Sequence, residues 1–71
     1  ILVKGGYVMD IIAALETAIK EEKEASARYR ELAAQASDPE TRLMFEQIAR
    51  EEESHYKRLV DRLKAVKLMR S

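Results

Sequence analysis

Three polar residues have types and a spacing that suit metal chemistry. Glu52 and His55 form a Glu-x-x-His pair, and Glu22 lies earlier in the chain. Helical residues three apart project from one face, so Glu52 and His55 can hold a single ion between them. Two carboxylates and an imidazole suit Fe(II) or Mn(II). We therefore predict that Glu22, Glu52 and His55 are metal ligands and, as such, the catalytic residues of any reaction at the metal.

The segment that carries Glu22 is predicted to be a long helix. No Gly or Pro occurs between Asp10 and Pro39, and strong helix formers dominate this stretch. We expect a helix from about residue 11 to residue 36, with Asp10 as its N-cap.

The segment that carries Glu52 and His55 is predicted to be a second helix, from about residue 40 to residue 68. A turn at 37–39 precedes it, where Ser37 or Asp38 can cap the new helix and Ser37 stands at capping-box spacing from Glu40. So short a connection makes the two helices antiparallel. The expected fold is an all-α two-helix hairpin.

Each predicted helix carries an apolar stripe at heptad spacing, and the three polar residues interrupt these stripes. The first stripe consists of Ile11, Leu15, Ala18, Ala25, Tyr29, Leu32 and Ala36, and the second of Phe45, Ile48, Leu59, Leu63 and Val66, widened by Ala49 and Tyr56. Met44 is also expected in the core, and Glu53 is expected to pair with Lys57 four residues on.

The three interruptions should meet at one height of the hairpin. Glu22 lies 16 residues before Asp38, whereas Glu52 and His55 lie 14 and 17 residues after it. At the helical rise per residue, all three are roughly 21 to 26 Å from the turn. No Lys or Arg lies on the stripe at that height, so the layer needs another source of positive charge.

A hairpin of two long helices retains an apolar stripe that it cannot bury alone. Two hairpins around a two-fold axis form a four-helix bundle, which duplicates the polar layer. The layer then contains four carboxylates and two imidazoles, and the carboxylates balance two divalent cations. We therefore expect a homodimer or a higher homo-oligomer with two metal ions per dimer, iron or manganese first and zinc as a substitute.

The composition excludes several other classes of protein. The chain has 71 residues, a formal net charge of zero and no cysteine. Zero net charge argues against a nucleic-acid partner, and the lack of cysteine excludes disulfide scaffolds and thiolate metal sites within this chain. No apolar run is long enough to cross a membrane, and a cytoplasmic location is expected. Residues 1–9 are expected to be an N-terminal tail, partly disordered or introduced by cloning.

The motifs Glu22-x6-Tyr29 and Ala49-x2-Glu52-x2-His55 resemble those of the ferritin-like superfamily, most closely its rubrerythrin-like branch. The resemblance implies a non-haem di-iron site in which Glu22 is a terminal ligand, Glu52 a bridging ligand and His55 the nitrogen ligand. It also implies that Tyr29 is the tyrosine that supports the ligands. The implied activity is oxidation of Fe(II) with dioxygen or peroxide, for the handling of iron or oxidative stress.

The resemblance covers the helical unit once, whereas a full-length member carries it twice. A second chain is therefore expected to complete the site, as in the half-length encapsulated ferritins, to which the chain is also similar. An electron donor or an encapsulating partner is left open, since the sequence lacks the cysteine-bound iron module of rubrerythrin. The alternative is a structural helical dimerisation or metal-binding module without turnover, in which the polar layer only fixes register.

Overall fold

The computed structural model describes residues 10–70, which form two helices and no strand. The first helix, α1, spans Ile11–Gln35, and the second, α2, spans Pro39–Arg70. The two pack along their lengths as an antiparallel hairpin, as the short turn predicts. Neither helix is long and apolar enough to cross a membrane. The predicted tail, residues 1–9, lies outside the described residues.

Aspartate side chains cap the N-termini of both helices. Asp10 caps α1, as predicted, because its Oδ1 accepts a hydrogen bond from the N–H of Ile12 at 3.2 Å. Of the two candidates for α2, Asp38 is the cap, since its Oδ2 accepts from the N–H of Thr41 at 2.8 Å. Pro39 then occupies the first helical position, where the missing N–H costs no helical hydrogen bond.

Contacts between an arginine and a carboxylate join the two helices at two heights. Arg70 at the end of α2 donates to Asp10 at the start of α1, at 3.1 Å. Midway along the hairpin, Arg30 donates to both carboxylate oxygens of Glu53, at 2.9 to 3.2 Å. The predicted pairing of Glu53 with Lys57 is wrong, because a fork-shaped guanidinium on the facing helix matches the carboxylate better than an ammonium on the same helix.

Small side chains form the buried core of the described residues, which consists of Ala25, Ala33, Ala49 and Val66. Without long side chains at these contacts, the two helices can approach closely. The larger apolar residues lie at the margins, and Met44, predicted to be core, is 47% exposed. Phe45 is half-buried and its ring packs against Tyr29, with 6.1 Å between centroids.

The hairpin is one helix thick. Its extents are 48 × 29 × 13 Å, and the shortest of these is close to the diameter of a single helix with its side chains. The radius of gyration is 15.8 Å, against about 11 Å for a compact domain of this length. Within residues 10–70, therefore, nothing covers either broad face of the hairpin.

Removing the charge of the Asp38 cap should flatten the acid dependence of stability. The hydrogen bond from the Thr41 N–H holds the pKa of Asp38 below its usual value. A depressed native pKa stabilises the fold above the unfolded pKa of about 3.9, and that contribution is lost as pH falls through the native pKa. Asp38→Asn keeps the cap acceptor without the titration. Wild type should melt higher than the variant at pH 7, and the gap should close in acid, as measured by circular dichroism. If the melting temperatures of wild type and variant instead fall in parallel with pH, the titration of Asp38 does not contribute to the acid dependence.

Enlarging the fully buried alanine should destabilise the hairpin. Ala49 has no exposed surface, so Ala49→Leu forces α1 and α2 apart, at a cost of about 1 to 3 kcal/mol in the free energy of unfolding. Ala34→Leu is the matched control, because Ala34 is exposed on α1. Urea titrations of both variants provide the comparison, and equal stabilities would rule out close packing at Ala49.

Candidate metal centre

The hairpin brings the three predicted ligands together. Glu22 comes from α1, and Glu52 and His55 come from consecutive turns of α2. Each offers one donor atom, and these atoms lie within 4.8 Å of one another. The predicted polar layer is therefore present within one chain, because the constant helical rise fixes the height of each residue above the turn.

His55 lies between the two carboxylates. Its Nδ1 is 3.1 Å from Oε1 of Glu52 and 3.6 Å from Oε2 of Glu22. Because a carboxylate can only accept, the short contact requires a hydrogen on Nδ1 when no metal is bound. A cation at this position would replace that hydrogen and be shared by all three side chains.

One oxygen of the layer makes no hydrogen bond. Oε2 of Glu22 is shielded from solvent and has no hydrogen-bond partner within residues 10–70. The side chains of Glu22 and Glu52 are 26% and 21% exposed, whereas that of His55 is 50% exposed. An unpartnered carboxylate oxygen in a poorly solvated site is destabilising. A divalent cation would satisfy this oxygen, so the donor set fits a metal.

An open groove gives access to the layer. Its volume is about 490 Å³, and it is lined by Glu22, His55, Arg58, Leu59 and Arg62. The two arginines were not predicted to lie here, because they are beside the apolar stripe and not on it. Their spacing from His55, three and seven residues on, is the helical periodicity that could have placed them near the site.

Tyr29 takes part in aromatic and cationic contacts. Its ring packs on Phe45, and the guanidinium carbon of Arg28 lies 5.9 Å from its centroid. Within residues 10–70, no hydrogen bond joins its hydroxyl to Glu22 or to the other candidate ligands. The supporting role of Tyr29 remains a prediction.

Neutralising Glu22 should have opposite effects without and with metal. In chelator, Glu22→Gln removes the unpartnered charge, and we expect the free energy of unfolding to rise by about 1 kcal/mol. With saturating Mn(II), the same variant should be less stable than wild type, because it has lost a ligand. Glu21→Gln is the control, since Glu21 is exposed, and should change stability by less than about 0.5 kcal/mol under both conditions. If Glu22→Gln changes the free energy of unfolding in the same direction in chelator and in Mn(II), a metal role for Glu22 is contradicted.

Comparison with known proteins identifies the family of this chain. The sequence profile of the family described as Rubrerythrin matches residues 13–71, a span that includes all three candidate ligands. Curated proteins and solved structures gave no significant match. Since the profile covers most of the chain, this chain belongs to the rubrerythrin family.

Proposed function

We propose that this chain is a non-haem di-iron or di-manganese carboxylate protein that oxidises Fe(II) with dioxygen or peroxide. The observation that carries the proposal is the convergence of Glu22, Glu52 and His55 around an unpartnered, shielded carboxylate oxygen. Membership of the rubrerythrin family supports iron as the metal. The same hard donors can also accept manganese or zinc.

The charges of the layer support one divalent cation per hairpin. Glu22 and Glu52 contribute two negative charges, and His55 contributes a nitrogen donor. Carboxylate-bridged di-metal bundles take one Glu from each of two helices and a Glu-x-x-His pair from each of the other two. One hairpin supplies half of that set, so a homodimer would hold two metal ions.

The shape of the hairpin supports a second copy as the partner. The hairpin is one helix thick, and some of its large apolar side chains are exposed, among them Leu32, Leu43 and Met44. Two such layers packed face to face would bury these side chains and produce the four-helix bundle expected of the site. The site would then be shared between two subunits.

Each ligand has a defined task in this proposal. Iron held by these residues would supply the electrons that reduce the oxidant. Glu22 and Glu52 provide the negative charge that holds the cations in place, and His55 gives up the Nδ1 hydrogen to act as a donor.

A second candidate function is a structural or metal-binding dimerisation module without turnover. The hydrogen bond between His55 Nδ1 and Glu52 Oε1 favours it, since this pair is already satisfied without a metal. A purely structural layer should tolerate leucine at Glu22, Glu52 and His55 and become more stable. Under the leading proposal, the same triple substitution abolishes metal binding.

Removing one carboxylate should abolish both metal stabilisation and Fe(II) oxidation. In wild type, Mn(II) at about 100 times its dissociation constant should add about 2.7 kcal/mol to the free energy of unfolding. Glu52→Ala should show none of this gain, and oxygen consumption with Fe(II) should fall to the level of buffer. The matched control is Glu51→Ala, which removes an exposed carboxylate next to the site and should behave as wild type.

Two results would contradict the proposal. Undiminished iron oxidation by Glu52→Ala, with dimerisation retained, would place the chemistry elsewhere. Metal stabilisation without any oxygen consumption by wild type would instead favour the binding module.

A further inference from the structure

Arginines of this hairpin differ in whether they have a partner. Arg30 binds Glu53, Arg70 binds Asp10, and Arg42 donates to the carbonyl oxygen of Ala36 at 3.2 Å. Arg58 and Arg62 have no hydrogen bond or ion pair within residues 10–70. Both line the groove that contains Glu22 and His55.

The spacing of Arg58 and Arg62 places their positive charges side by side. Residues four apart on a helix are neighbours, and like charges at this spacing repel. Without metal, the negative charges in the groove and in the adjoining polar layer are those of Glu22 and Glu52. These two carboxylates and the two guanidinium groups sum to zero charge.

A bound divalent cation changes this balance. Once the cation neutralises Glu22 and Glu52, the two guanidinium groups of Arg58 and Arg62 leave a local charge of about +2 beside the metal. Building on the metal site proposed above, we propose that Arg58 and Arg62 form a binding site for an oxyanion of the hydrogen phosphate class. The anion binds when the metal is present.

The chemistry of the groove suits this class of ligand. Guanidinium groups bind phosphate through paired N–H donors. The two negative charges of hydrogen phosphate would balance the two positive charges of Arg58 and Arg62. The groove has room for it at about 490 Å³. Coupling between the two ligands is reciprocal, so the anion also tightens metal binding by the same factor.

Equilibrium dialysis of labelled inorganic phosphate tests the proposal, at low ionic strength so that screening is weak. The protein is compared metal-free and loaded with Mn(II), and retained Mn(II) and subunit number are measured in the same samples. The variant is Arg58→Gln/Arg62→Gln. The matched control is Lys57→Gln/Lys64→Gln, which removes the same charge from exposed positions of α2 outside the groove.

We expect loaded wild type and the lysine control to bind about one phosphate per chain. Affinity should fall at least about tenfold in the arginine variant and in metal-free wild type. The anion site is overturned if the arginine variant binds phosphate as well as the lysine control does, or if metal-free wild type binds it as well as loaded wild type does. In either case, Mn(II) retained by the protein leaves the metal proposal intact. Loss of the dimer in the arginine variant, without phosphate binding by wild type, assigns the arginines to a subunit contact and also overturns it. Failure of wild type to retain Mn(II) refutes both proposals.

Discussion

Two carboxylates held inside a contact between helices form the constraint that organises this hairpin. Glu22 and Glu52 face His55, whose Nδ1 is within hydrogen-bond distance of only one of them. Such a layer is less favourable than apolar packing of the same volume unless something supplies positive charge. A divalent cation would supply that charge and would also satisfy the shielded oxygen of Glu22. Under the proposed function, a bound metal accounts for the interruption of an otherwise regular apolar contact at this height.

One hairpin alone buries little apolar surface, just as it supplies only half of the ligands of a di-metal site. Alanines allow α1 and α2 to approach closely, but they bury little apolar surface, and no large side chain among the described residues is fully buried. The hairpin formed by the described residues is 13 Å thick, and none of these residues covers its two broad faces. A second hairpin, the partner proposed above, would complete the metal site and cover the exposed apolar residues.

The sequence predicted the helices and the polar layer well, because both follow from the helical repeat. Rise per residue fixes how far Glu22, Glu52 and His55 lie from the turn, and the observed donor atoms converge as expected. The family was recognised from the same residues, and the profile match confirms it.

Features that depend on side-chain reach were not predictable from periodicity. Arg30 reaches across the hairpin to Glu53, and the heptad pattern does not say which residues beside a stripe approach the facing helix. Met44 is exposed, since the described hairpin is one helix thick and has no second layer of helices to cover it. Arg58 and Arg62 escaped notice for a related reason, since long side chains can enter a groove from positions beside the stripe.

Native mass spectrometry tests the central claim most directly, because one spectrum reports subunit number and metal count together. Chelator-stripped protein is titrated with Fe(II) under anaerobic conditions. The account predicts a dimer that carries two iron atoms at saturation. A dimer that remains free of metal at saturating Fe(II) would contradict it, and Glu22, Glu52 and His55 would then be a structural polar layer.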